Sequence, residues 1–241
     1  MFDHVGIRAS DRESSERFYG TVLAPLGIEQ THSDEEFVEW DDFALSGVTA
    51  DNPVTRRLHV AFTAPSRGHV DEFWRVGTDA GYRDGGFPGL RPEYRDDYYG
   101  AFLRDPEGNN VEAVHHGDTR PGVDHLWLRV ADVAASKQFY AAVAPHAGFR
   151  LQHESPNRAQ FVGERASFSV VSGSPTEHVH IAFPVDRNST VEEFHQALTA
   201  AGHQDNGPPG ERPVYHEGYY AAFVLDPDGN NIELVNHNRS S

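Results

Sequence analysis

Close to the N-terminus the apolar positions change their period. In Asp3-His4-Val5-Gly6-Ile7-Arg8-Ala9, valine, isoleucine and alanine alternate with polar or small residues, the pattern of a strand with one buried face. Further on, Phe18, Val22 and Leu26 recur at four-residue spacing, one stripe of a helix, and Gly27 stops it. Ser10 with Glu13 has the form of a capping box opening that helix, and Ser189 with Glu192 the same for the last one. Three short strands follow the first helix, near 27–32, 37–40 and 43–47, separated by acidic turns.

The same cycle returns. Leu58-His59-Val60-Ala61-Phe62 repeats the opening strand 55 positions on, and Phe73-Trp74 falls where Phe18-Tyr19 predicts. The pair of cycles is then restated without net insertion at an offset of 121: Asp3 to Val114 becomes Asp124 to Val235. The expectation is an α+β protein of four βαβββ modules in two tandem domains, 1–117 and 123–241, joined by a linker at 118–122 that holds Pro121 and Gly122.

Composition narrows the partners. A formal net charge of −17 disfavours phosphate backbones and anionic membranes, so neither nucleic acid nor membrane is expected. The absence of cysteine removes disulfides and thiolate ligands. With no leader-like or membrane-length apolar run, the chain reads as a cytoplasmic monomer or homodimer acting on a small-molecule substrate.

Packing explains the repeated Phe, Val and Leu. It does not explain why His4, His59 and Glu112 recur as His125, His180 and Glu233. His4, Gly6 and Arg8 share one face of their strand, and His59 and Ala61 share one face of theirs. Glu112 lies on the last strand. Two imidazoles and a carboxylate suit a divalent transition metal: Fe(II), Mn(II), Ni(II), Co(II) or Zn(II). Three protein ligands leave positions open for water or substrate, the catalytic rather than the structural arrangement. The offsets allow local grouping, His4 with His59 and Glu112, or crossed grouping, His4 with His180 and Glu233.

These residues, with the helix signature Phe18-Tyr19-x-x-Val22-Leu23 and the endings Asp105-Pro106-Glu107-Gly108-Asn109-Asn110-Val111-Glu112 and Asp226-Pro227-Asp228-Gly229-Asn230-Asn231-Ile232-Glu233, resemble the vicinal oxygen chelate superfamily. That group includes glyoxalase I, extradiol dioxygenases, fosfomycin-resistance enzymes and bleomycin-binding proteins. The resemblance covers essentially the whole chain. It implies paired modules forming U-shaped mixed sheets, with both triads at the family's metal-ligand positions. Glyoxalase I has a fourth, glutamate ligand, where this chain has only Phe43-Ala44-Leu45-Ser46 and Phe168-Ser169-Val170-Val171. The dioxygenase signature has a histidine and then a tyrosine before the Asp-Pro turn. His216 fills the first place in the second repeat but Arg95 stands in the first, and Phe102 and Phe223 occupy the tyrosine place.

The long Pro/Gly-rich segments 87–95 and 207–216 read as surface loops, possible lids, with Arg95, Arg212 and Tyr215 set to contact substrate. Of Tyr98-Tyr99 and Tyr219-Tyr220, one of each pair is expected to face the site. His216, Tyr219 and Tyr220 are the first candidates for acid–base catalysis, and Tyr98 and Tyr99 for substrate contact. Trp40, Trp74 and Trp127 read as core, Asp34-Glu35-Glu36 and Asp41-Asp42 as solvated turns, and His115-His116 as exposed. The reading is a metal-dependent enzyme performing isomerisation, addition or O₂-dependent cleavage. Its rival is a non-catalytic sequestering protein of the bleomycin-resistance kind, and such proteins generally lack the triad.

Overall fold

The computed structural model describes residues 1–117 and 120–238. Strand, helix and three strands follow one another four times, an α+β fold. The chain divides into two compact units, residues 6–127 and residues 1–5 with 128 onward. The cuts fall inside β1 (His4–Ala9) and β9 (Val123–Val130). Asp118 and Thr119, part of the expected linker, lie outside the described residues.

In the unit of residues 6–127, α1 (Arg12–Leu23) buries Phe18, Tyr19 and Val22, and a left-handed Gly27 (φ 73°) ends the 3₁₀ turn that follows. The N-cap is Asp11, whose carboxylate accepts from Ser14 N at 3.0 Å. Ser10, the expected cap, instead donates its amide and hydroxyl to Glu107, each at 2.6 Å. The helix then runs into β2 (His32–Ser33), β3 (Phe37–Trp40) and β4 (Phe43–Gly47), paired antiparallel in that order. In the second module β5 (His59–Thr63) leads through α2 (Arg67–Asp79) to β6 (Arg83–Leu90), β7 (Tyr99–Arg104) and β8 (Asn110–His115). β5 lies parallel to β8 and antiparallel to β9, and β8, β7 and β6 are antiparallel neighbours.

The other unit repeats the plan. α3 (Val133–Ala147) precedes β10 (Arg150–Ser155), β11 (Arg158–Val162) and β12 (Ser167–Ser172). β13 (His180–Pro184) leads through α4 (Asn188–Ala200) to β14 (Asp205–Glu211), β15 (Tyr220–Leu225) and β16 (Asn231–Asn236), with β13 parallel to β16. Asp3 N donates to Ala182 O at 2.9 Å, laying the first residues of the chain beside β13. α4 starts after Arg187 with no side-chain cap, and Glu192, expected in a capping box, accepts from the Tyr220 hydroxyl instead.

The Pro/Gly-rich segments are not plain loops. Phe87 to Leu90 belongs to β6, and Gly207 to Glu211 to β14. Both strands pair with their neighbours through irregular register, and an outer strand tolerates prolines because its outward N–H groups need no partner.

The Asp-Pro-x-Gly-Asn motif is a clamp. Asp105 accepts from Asn109 N at 2.8 Å, Asn109 Nδ2 at 3.0 Å and the Tyr19 hydroxyl at 3.0 Å. Asn109 Oδ1 in turn accepts from Leu58 N at 3.0 Å. The last turn therefore fixes the start of β5, and with it His59. In the second repeat Asp226, Asn230, Tyr140 and Val179 N reproduce these bonds. Gly108 (φ 86°) and Gly229 (φ 88°) supply the left-handed residue each turn requires.

Candidate metal centres

Two groups of ligating side chains converge, and they are crossed: His4 with His180 and Glu233, and His59 with Glu112 and His125. Within each group the ligand atoms lie within 4.8 Å of one another. Strand register explains the second group. Ala61 on β5 is paired with both His125 and Glu112, so those two residues flank it on either side, and His59 stands two residues along on the same face.

In the first group His180 Nε2 is 3.0 Å from His4 Nε2 and 2.9 Å from Glu233 Oε2, and His4 Nε2 is 3.8 Å from that oxygen. In the second, His59 Nε2 is 3.2 Å from His125 Nε2 and 3.0 Å from Glu112 Oε2, and His125 Nε2 is 3.6 Å from Oε2. Bonds of ~2.0–2.1 Å at right-angled to tetrahedral angles give edges of about 2.8–3.4 Å, which the two shorter edges of each group match; the third edges, 3.8 and 3.6 Å, are wider.

The partners of these rings fit as well. Nδ1–H of His4 donates to Asp3 at 2.9 Å, and Nδ1–H of His125 donates to Asp124 at 2.7 Å. Each ring thereby presents the lone pair of Nε2 to its group. The side-chain amide of Asn110 meets His59 Nδ1 at 2.6 Å, and that of Asn231 meets His180 Nδ1 at 2.7 Å. The Asn110 Oδ1 atom is buried without a partner among the described residues. A half-turn of that amide leaves its shape unchanged and lets Oδ1 accept from Nδ1–H, the tautomer of a ligating histidine.

Both glutamates are 1 % exposed. Tyr98 donates its hydroxyl to Glu112 Oε1 at 2.7 Å, and Tyr219 donates to Glu233 Oε1 at 2.7 Å, in each case leaving Oε2 aimed at the histidines. Burial pushes Glu112 up to about 7, against the pull of His125 and of the Tyr98 hydrogen bond. Burial also drives both tyrosines far above the usual phenol range, reinforced by the adjacent carboxylate, so they are fixed donors rather than bases. Burial alone would raise Asp124, but hydrogen bonds from His116 and His125 hold it well below the usual carboxylate range. Asp3 is likewise lowered by His4 and His237 against its own burial.

One step farther out the groups differ. Asp3 Oδ1 accepts from His237 Nε2 at 2.8 Å, His237 Nδ1 meets His216 Nε2 at 2.8 Å, and His216 Nδ1 donates to Glu217 O at 2.8 Å. In the second group Asp124 accepts from His116 Nε2 at 2.8 Å, which raises the His116 pKa. Arg95 replaces His216 there, donating to His116 O and pairing with Asp97 at 2.6 Å.

Several expected site residues lie elsewhere. Tyr99 and Tyr220 turn to the helices, donating to Asp71 at 2.7 Å and Glu192 at 2.9 Å, away from both groups. Arg212 donates to Pro208 O and Glu211 O and lies over Phe223, whose ring is tilted 40° to that of His180 at 6.3 Å. Tyr215 is 55 % exposed and packs on Tyr219 at 4.8 Å.

Sequence reasoning missed Asp3, Asp124, His116, His237, Asn110 and Asn231, although each sits beside or near a recognised motif and recurs at the 121 offset. His116, read as exposed, is tied to Asp124. Asp42, read as a solvated turn, is largely buried, accepts from Val123 N at 2.9 Å and is pushed up to about 6 by that burial. Trp40 is core at 1 % exposure, but Trp127 stands directly opposite His59 with the ring centroids 5.7 Å apart.

The sequence model described as the Glyoxalase/Bleomycin resistance protein/Dioxygenase superfamily matches residues 122–234. The Bacillus subtilis (strain 168) protein YqjT, itself uncharacterised, is 32 % identical over 130 residues, spanning 46 % of this chain and 95 % of that protein. Over residues 122–234, close to half of the chain, the sequence belongs to the glyoxalase/bleomycin resistance protein/dioxygenase superfamily. Glyoxalase I from Zea mays is 19 % identical with a TM-score of 0.69, over 98 % of this chain and 92 % of that one. A candidate dioxygenase from Bacillus subtilis subsp. subtilis is 12 % identical with a TM-score of 0.65, over 99 % and 86 %. At these identities the likeness is one of fold. Among the described residues no helix is long and apolar enough to cross a membrane.

Proposed function

We propose that the protein is a metal-dependent enzyme in which each crossed triad holds one divalent transition-metal ion, with a small oxygen-chelating molecule as substrate. The observation that carries this reading is the closure of the same His, His, Glu set twice, each histidine backed on its far nitrogen by an aspartate or asparagine. When bound, such an ion supplies Lewis-acid activation for isomerisation, addition or O₂-dependent cleavage.

The chain's own residues divide the remaining work. Asp3 and Asp124 orient His4 and His125 and fix the tautomer in which Nε2 is the ligating nitrogen. Tyr98 and Tyr219 fix the glutamate rotamer from Oε1. Phe102 and Phe223 wall the sites beside His59 and His180 and exclude water there. The linked His216 and His237 imidazoles lie beside Tyr219, with ring centroids 5.2 Å from the phenol in both cases, and are the groups placed to relay a proton there.

Elemental analysis of protein purified without a histidine tag or added metal tests the reading. About one ion per triad is expected, from the endogenous pool or on titration with Fe(II), Mn(II), Ni(II), Co(II) or Zn(II). Failure to bind any of the five would overturn it and favour sequestration of a small molecule without turnover.

A further inference from the structure

The wall of the His59–Glu112–His125 site is aromatic on several sides. The Trp127 indole lies 5.7 Å from the His59 ring and 5.8 Å from Tyr94, which meets it edge-on at 84°. Tyr94 also packs on Tyr98 at 5.2 Å. Phe102 lies 6.2 Å from His59 on another side, with the Arg91 guanidinium 5.6 Å above it. Trp127 is only partly buried and Tyr94 is 48 % exposed, so aromatic surface borders the ligand-bearing face.

Three of these four wall residues are kept at the 121 offset. Tyr94 corresponds to Tyr215, Tyr98 to Tyr219 and Phe102 to Phe223, and the arginine over the phenylalanine is kept as Arg212. Trp127 is the exception. Its counterpart, two residues after His4 on the strand that carries that histidine, is Gly6. One indole against one hydrogen atom is the largest difference in wall chemistry between the repeats.

We infer that Trp127 makes the His59–Glu112–His125 site selective for oxygen chelators bearing a flat ring or comparable planar group, while the His4–His180–Glu233 site, which has glycine in place of the indole, favours such ligands less. A ring held close to His59 has the indole as a face to stack on, and aromatic contacts of this kind are worth roughly 0.5–1.5 kcal/mol beyond area burial, or about three- to tenfold in affinity. This inference rests on metal occupying both triads.

Acetohydroxamate and benzohydroxamate share one chelating head and differ by the ring, so their affinity ratio reads the wall directly. Calorimetry on zinc-loaded Glu233→Ala protein, which retains the triad beside Trp127, should show the ring favoured about three- to tenfold more than on Glu112→Ala protein. Trp127→Leu in the Glu233→Ala background should abolish that excess. Trp127→Phe, which keeps an aromatic residue in the strand and guards against misfolding, should retain part of it. Equal ring preference in the two single-site proteins, or an excess that survives Trp127→Leu, overturns the assignment. Zinc content measured on the same samples separates the two ideas: no zinc sinks the metal reading and this one with it, whereas zinc without a ring effect sinks this one alone.

Discussion

The His4–His180–Glu233 and His59–Glu112–His125 groups agree in three ligands, a tyrosine on the outer carboxylate oxygen, an aspartate behind one histidine and an asparagine behind the other. They part where Asp3 meets a pair of imidazoles and Asp124 meets a histidine backed by Arg95. Behind one aspartate stand two imidazoles, a residue type that exchanges protons; behind the other stands a histidine held by a guanidinium, which does not. The exchange is coordinated: Arg95 has Asp97 two residues on as counter-charge, and His216 has Gly218 there, in a left-handed conformation (φ 83°). On the proposed function, the triads would set which ions bind, and the layer behind them is where the two repeats would differ in proton transfer.

The widest test of this comparison asks whether the two groups are separate centres at all. His4→Ala with Glu233→Ala puts both lesions in one group, and about one metal equivalent should remain by elemental analysis. His4→Ala with Glu112→Ala puts one in each, and metal content should fall towards zero; a full surviving equivalent would refute the crossed grouping. Next in size, Asp3→Ala and Asp124→Ala should each weaken metal binding about 10–100-fold, at its own group only, in competition titrations with a chromophoric chelator. Losses at both groups from either change would show that they are coupled.

A smaller effect is expected one layer out. His216→Ala should lower turnover by about tenfold, less than the ~100-fold typical of a direct acid–base group. Arg95→Ala should change turnover less. Equal losses would make the layer behind the aspartates functionally alike in both repeats.

The smallest effect concerns Asp42, whose counterpart at the 121 offset is Gly163. Its folded value is pushed up to about 6 from a usual value near 4, so between those limits the folded protein holds a proton that the unfolded chain has lost. Its contribution to stability is therefore greatest below about pH 4 and declines as pH rises towards 6. Relative to Asp42→Asn, the native metal-free protein should lose a few degrees of Tm on going from about pH 4 to about pH 7. No relative change would show that Asp42 is solvated in the folded state.

Much of this was readable beforehand, for reasons that differ by residue. Glu112 and the histidines stood out because packing gives no cause for an ionisable group to recur at strand positions. The offsets are the same for local and crossed sets, and only the short linker near Pro121 tips the reading towards the crossed one; the pairing of β5 with β9 brings His125 to His59. Asp3 and Asp124 carry no such signal, since whether an aspartate reaches its neighbour's ring depends on rotamers that sequence does not encode. Trp127 was assigned to the core because a tryptophan in an apolar strand reads the same whether it faces packing or a site. Glycine and proline suggested loops at 207–210, where bulges in an outer strand accommodate them.

Drawing each triad from both repeats also governs how the duplication can be inherited. After most duplications one copy is free to decay while its twin preserves the ancestral role. That route is closed to this chain: the first repeat lends His4 to the triad of the second, and the second returns His125. Erosion of either copy damages both centres, and deletion of either leaves no complete triad on the polypeptide. Selection acting on a single activity would therefore hold both copies of the gene segment in place, while residues such as Arg95, His216, Gly6 and Trp127 are left to diverge.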